Sequence, residues 1–199
     1  MPLDDGKFTS DLTAAFSQVD WGECSAKLSK AIQDYVKSGT VETTVVVIHI
    51  PVPPAPALPG PAKGKEGEII AITSSGLTDA IIEALKGDDF QTSAEQMADA
   101  IDAYTKGCTI LISQYDPPFA GLGVGPPSST GLMPIVPVGL EALKAILTMA
   151  FKFSVDWSMV TPLFMNGVKT YITTCIVNTV DFGVVPLTSW TGIGIGTIS

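Results

Sequence analysis

The sequence predicts an α+β protein made of three tandem repeats of about 65 residues. Each repeat is expected to hold two helices followed by a β-hairpin with a proline-rich loop. Three observations predict this: an aromatic residue precedes a tyrosine by fourteen positions three times, helical apolar spacing comes before each pair, and β-branched runs follow each pair. The pairs are Trp21 and Tyr35, Phe90 and Tyr104, and Trp157 and Tyr171.

The segments that precede the first and third aromatic residues also match. Phe16-Ser-Gln-Val-Asp precedes Trp21, and Phe153-Ser-Val-Asp precedes Trp157. A unit of this size buries little apolar surface alone, so the three should share a core or lean on partner chains. The alternative is a chance similarity within a single α+β domain. The repeats are placed at residues 1–75, 76–139 and 140–199.

Each unit is predicted to begin with an amphipathic helix. In the second unit, apolar residues recur at i, i+3, i+4, i+7 and i+8, which gives a helix one apolar face. These residues are Leu77, Ala80, Ile81, Ala84 and Leu85. The three helices are predicted over residues 8–16, 77–85 and 140–151.

A second helix is predicted to follow each aromatic residue and to end near the tyrosine. In the first unit, Leu28, Ala31 and Ile32 share a face with Tyr35. A glycine or a cysteine stands four positions after each tyrosine, and Gly39 in the first unit suits a helix C-cap. We expect the aromatic residues that precede these helices to anchor the small core of each unit.

β-branched residues dominate the segment after each second helix, which favours strands. First strands are predicted over residues 41–48, 109–112 and 172–180. Punctuated loops follow at residues 51–61, 116–127 and 181–186. A closing strand is predicted over residues 67–73, 131–138 and 192–198. The first loop contains six prolines and is predicted to be a stiff hairpin connector or, alternatively, a polyproline ligand for a partner.

Composition argues against several classes of function. The 199-residue chain has net charge −9 and pI near 4.4, and all 11 positive residues are lysine. This charge opposes binding to nucleic acid. No apolar segment is long enough for a transmembrane helix, and the acidic start lacks the features of a signal peptide. We therefore expect no nucleic-acid partner, no membrane and synthesis in a cytoplasm.

Charged residues are sparse in the last unit, where residues 157–199 hold only Lys169 and Asp181. Two charges cannot solvate a free exterior of this length, so we expect other chains or the first two units to cover it. The closing strand at 192–198 has glycine at alternate positions. We expect its unpaired amides to favour strand addition by another chain.

No pattern of catalytic, cofactor-binding or metal-ligating residues is found, and none is predicted. The only histidine, His49, lies in an apolar strand run. The glycine-rich segments 121–125 and 192–196 lack the following helix that a phosphate loop requires. The cysteines lack the paired spacing of a zinc site and are expected to be small buried thiols: Cys24, Cys108 and Cys175. Three acidic residues are expected on a solvated helix face: Glu95, Asp99 and Asp102.

Several motifs of the chain resemble those of structural proteins of tailed-phage virions. The matching residues are Ala31-Ile32-x-x-Tyr35, the strand at 40–45 and the proline-rich loop 51–61, with weaker copies after Tyr104 and Tyr171. The resemblance covers most of the chain. It implies a neck, tail, baseplate or capsid-associated part of the particle, and no catalytic residue or cofactor.

The expected function is that of a non-enzymatic structural subunit located in the virion after synthesis in the host cytoplasm. Its partners would be other virion proteins, in a homo-oligomer or a symmetric hetero-assembly. Three units in one chain also suit a site of three-fold or six-fold symmetry. The alternative is a small protein- or ligand-binding module, or an enzyme of unrecognised type, that uses the proline- and glycine-rich loops.

Overall fold

The computed structural model describes residues 3–51, 60–71, 76–87, 89–111, 114–116, 133–152, 157–185 and 188–199. The chain is α+β, as predicted, and helices and strands alternate in groups along it. The helices are α1 (Asp5–Phe16), α2 (Trp21–Ser38), α3 (Leu77–Leu85), α4 (Phe90–Gly107), α5 (Leu140–Lys152) and α6 (Trp157–Thr174). The strands are β1 (Thr40–Pro51), β2 (Gly60–Ala71), β3 (Cys108–Leu111), β4 (Gln114–Asp116), β5 (Met133–Val136), β6 (Ile176–Val185) and β7 (Thr188–Ile198).

The helices α2, α4 and α6 have the same length, 18 residues, and each begins at one of the aromatic residues singled out above. An aspartate N-caps two of them: Asp20 accepts from the Glu23 amide, and Asp89 accepts from the amides of Gln91 and Thr92. The recurrent Asp-aromatic dipeptide is thus a helix start signal. The tyrosine falls fourteen residues later, near the end of the same helix.

Gly39 is the C-cap of α2, as predicted, but its role is not to adopt a left-handed conformation. Its φ is −67°, in the extended region that any residue can adopt. A Cβ atom at this position would lie 2.8 Å from Cγ2 of Ile198 on β7. A side chain at position 39 would therefore require the Ile198 side chain to shift.

The seven strands of the described residues belong to one antiparallel sheet that curls until its ends meet. The order β1-β7-β6-β5-β3-β2 closes because β1 pairs with β2 as well as with β7. β3 and β4 both pair with β2 and keep one register, since Glu68 is opposite Leu111 and Lys63 is opposite Asp116. β3 and β4 therefore lie end to end beside β2, as two parts of one strand position.

Three cross-strand pairs lie at the places where one group of elements meets the next. Each pair joins the start of a first strand to the end of a closing strand, and all six side chains are buried. The pairs are Val41 with Ile198, Ile110 with Ile69, and Val177 with Ile135. The helices follow the same circular order, because each contacts the next along the chain and α6 contacts α1. Buried residues from Phe8 to Ile198 form one shared core.

Several predicted boundaries were wrong. Residues 172–174 belong to α6, and β6 begins only at Ile176. The predicted loop at 181–186 is mostly strand, because β6 continues to Val185. The first loop is shorter than predicted, since Pro51 ends β1 and Gly60 begins β2. Residues 52–59 and 117–132, which contain most of the first two loops, lie outside the described residues.

The prediction that the aromatic residues anchor the core is wrong for two of them. Trp21 is 51% exposed and Phe90 is 46% exposed. Both residues are exposed because each is the first residue of a capped helix, at the helix end, where the neighbouring helices no longer pack against it. The side chain of Trp157 lies outside the described residues. The buried position is instead the eighth residue of each helix, where Leu28, Met97 and Phe164 are found.

The prediction of strand addition at 192–198 is also wrong. β7 pairs with β1 along one edge and with β6 along the other. Its backbone amides are therefore used within the chain, and β1 lies along one of its edges.

Candidate functional site

Three buried tyrosines, Tyr35, Tyr104 and Tyr171, lie in the last turns of α2, α4 and α6. The Tyr35 hydroxyl donates to Asp5 Oδ1 at 2.8 Å, and its ring stacks on Phe8 with centroids 4.1 Å apart. Lys169 Nζ on α6 donates to the other oxygen of Asp5. This hydrogen bond lowers the pKa of Asp5 against the opposing effect of burial. Burial, helped by the Asp5 carboxylate, raises the pKa of Tyr35.

A second polar contact joins α6 to α4. The Tyr171 hydroxyl donates to Asp102 Oδ1 at 2.8 Å, and Lys106 Nζ lies 2.6 Å from Asp102 Oδ2. Asp102 is only 6% exposed, so the prediction of a solvated position is wrong for this residue. Burial is the main cause that raises the pKa of Tyr171. The pair is a structural tie whose phenol stays protonated at neutral pH.

The third tyrosine, Tyr104, differs from the other two. Its hydroxyl is buried and has no hydrogen-bond partner in the part of the chain that the structure describes. Burial raises the pKa of Tyr104, and the neighbouring Cys108 thiol adds to the shift. A thiol is a weak hydrogen-bonding group, so the hydroxyl still lacks a strong partner.

The three cysteines are free and buried, as expected. Cys108 begins β3, and Cys175 stands immediately before β6, where its Sγ donates to the Tyr171 carbonyl at 3.3 Å. Burial raises the pKa of Cys24 and of Cys108, and it raises that of Cys175 to about 12. Thiols that stay protonated and inaccessible are not nucleophiles.

A groove of about 300 Å³ lies between α1 and α2. Phe8, Ala31 and Tyr35 are among the residues that line it. At its rim, Lys7 Nζ lies 2.6 Å from Asp11 and 3.1 Å from Asp34. These hydrogen bonds, Asp11 first, raise the pKa of Lys7. Because the charges compensate one another, the groove presents no group prepared for acid–base chemistry.

The other candidate residues of the sequence are dispersed. Asp99 pairs with Lys144 at 2.9 Å, and Glu95 accepts from the Gln91 side chain at 3.1 Å. The glycines at 192–196 lie within β7. The His49 side chain and residues 121–125 lie outside the described residues. In the described ranges, no group of three or more His, Cys, Asp or Glu residues could hold a metal ion.

Large exposed apolar side chains are concentrated at one end of the helical layer. The helices α2, α4 and α6 run directly into β1, β3 and β6, so their first residues stand at the opposite helix ends, about 27 Å along the helix axis from the residues that lead into the strands. Of the six such side chains in the described residues, four stand within two residues of the first residue of α2, α4 or α6, and a fifth, Met149, stands near the end of α5. The four are Val19, Trp21, Phe90 and Met159. The sixth, Val138, lies two residues after β5, near the sheet. We call the surface formed by the five residues the helical end.

Sequence reasoning missed this surface because it assigned the aromatic residues to the core. A usable signal was present, since an aspartate directly before an aromatic residue indicates an N-cap and places the aromatic residue in the first turn.

Among the described helices, none combines the length and apolar character needed to cross a bilayer.

Comparison with known proteins gives no relative. No family model matches the chain, and neither a curated protein nor a solved structure is significantly similar to it.

Proposed function

We propose that the chain is a non-enzymatic structural subunit of a virus particle, built from three repeats that form one closed ring. The observation that carries the proposal is the set of three cross-strand pairs, Val41–Ile198, Ile110–Ile69 and Val177–Ile135. Two of these pairs join successive units, and the third joins the last unit to the first. A single chain with this arrangement can occupy an axis of three-fold symmetry.

The positions of buried residues support the repeat. In each first helix, apolar residues stand at i, i+4, i+7 and i+8 and face the core, with only Leu85 partly exposed. These residues are Phe8, Leu12, Ala15 and Phe16, then Leu77, Ile81, Ala84 and Leu85, then Leu143, Leu147, Ala150 and Phe151. In each second helix, positions 8, 12 and 15 are buried. A repeated unit of two helices followed by two strands would explain this recurrence of buried positions along the chain.

The character of the polar groups supports a structural role. Asp5, Asp102 and Lys169 connect helices that belong to different units, and the tyrosines they serve stay protonated. Such contacts fix one helix against another.

The virion assignment rests on the resemblance together with this ring. The proposed partners are other virion proteins in a symmetric assembly, the proposed location is the particle, and the proposed site of synthesis is the host cytoplasm. A chain that repeats one unit three times matches a site where three identical contacts are offered.

Purified particles provide the test. Particles from the source of this sequence would be banded on a density gradient after nuclease and salt washing, and the chain would be quantified by mass spectrometry. We expect it to band with the particles at a constant ratio to the major capsid protein. A chain found only in the unassembled protein at the top of the gradient would contradict the proposal. A host cytoplasmic protein of similar size serves as the control for contamination.

A further inference from the structure

We draw no further inference here: the strongest candidate, the apolar surface of the helical end with its exposed Trp21 and Phe90 side chains, carries none because nothing in the described residues shows what covers it.

Discussion

Tyr171 and Tyr104 stand at the same place in two 18-residue helices, yet only one has a partner for its hydroxyl. Tyr171 donates to Asp102, which stands two residues before Tyr104 on α4. The residue in the same position on α2 is Gln33, and its amide donates to Ser29 at 2.9 Å instead. Both tyrosine rings are nevertheless buried. The difference shows that apolar packing positions these helices, whereas hydrogen bonds between the helices occur at only some of their contacts.

The largest effect should therefore come from the apolar packing around these helices. Phe164, the eighth residue of α6, is fully buried, and its ring meets that of Phe16 edge-on with centroids 5.6 Å apart. Phe164→Ala should lower the free energy of unfolding by about 3–5 kcal/mol. Urea denaturation followed by circular dichroism measures this change. Trp21→Ala, at an exposed position, is the control and should cost less than about 1 kcal/mol.

Removing the hydroxyl of Tyr171 should have the next largest effect. Tyr171→Phe leaves a buried oxygen of Asp102 without its donor, although Lys106 still holds the other oxygen. We expect a loss of about 1–3 kcal/mol in the free energy of unfolding. A loss below about 0.5 kcal/mol would mean that this tie does not stabilise the contact between α4 and α6.

Loss of the ion pair between Asp5 on α1 and Lys169 on α6 should have a smaller, pH-dependent effect on stability. The pKa of Asp5 is lowered in the folded chain, chiefly by Lys169, so its carboxylate adds stability above the ordinary aspartate pKa of about 4. That contribution is lost as the pH falls through the lowered value. Asp5→Asn should cost less than about 1 kcal/mol at pH 7, because the pair is partly exposed and screened.

Melting temperatures of the Asp5→Asn variant and the unmodified chain, measured from pH 7 down to pH 2, check this prediction. The difference between them should be constant above about pH 5 and should shrink at lower pH. A melting-temperature difference that grows on acidification would contradict the prediction, because it would mean that the folded chain raises the pKa of Asp5. Asp99→Asn, at an exposed ion pair on α4, is the matched control.

The smallest effect is expected for Tyr104. Its hydroxyl is buried without a strong partner, so Tyr104→Phe removes a desolvated group and loses no strong hydrogen bond. The free energy of unfolding should change by less than about 0.5 kcal/mol, or should rise. Measured beside Tyr171→Phe in the same buffer, this variant gives the sharpest form of the comparison. Equal losses in the two variants would erase the distinction between the two contacts.

Local sequence signals predicted much of the fold because they act within one helix. Apolar spacing placed α3 at its observed bounds, and the aromatic residues mark the first residues of α2, α4 and α6. The end of α6 was missed because Ile172, Thr173 and Thr174 have high strand propensity. In the helix, Thr173 and Thr174 donate their hydroxyls to carbonyls of the preceding turn, and Ile172 is buried. Packing overrides propensity at such positions.

The contacts between elements far apart in the sequence could not be predicted from local signals. Asp102 lies on the polar side of its own helix by periodicity, and it is buried only because Tyr171 packs there from α6. The pairing of β7 with β1 joins residues at opposite ends of the chain. These contacts depend on which elements become neighbours, and periodicity along one element does not contain that information.

Closure of the ring is tested most directly by cysteine cross-linking at the three pairs between units. Thr40 and Ser199 exchange two backbone hydrogen bonds of 3.0 Å, so the adjacent pair Val41–Ile198 is of the close, non-hydrogen-bonded type, which suits a disulfide. Cysteine pairs would be placed at 41 and 198, at 69 and 110, and at 135 and 177, with 41 and 135 as a non-adjacent control. After mild oxidation, we predict intramolecular disulfides at all three pairs by mass spectrometry and none at the control. Disulfides at the second and third pairs but not between Val41→Cys and Ile198→Cys would contradict a closed ring of three equivalent units.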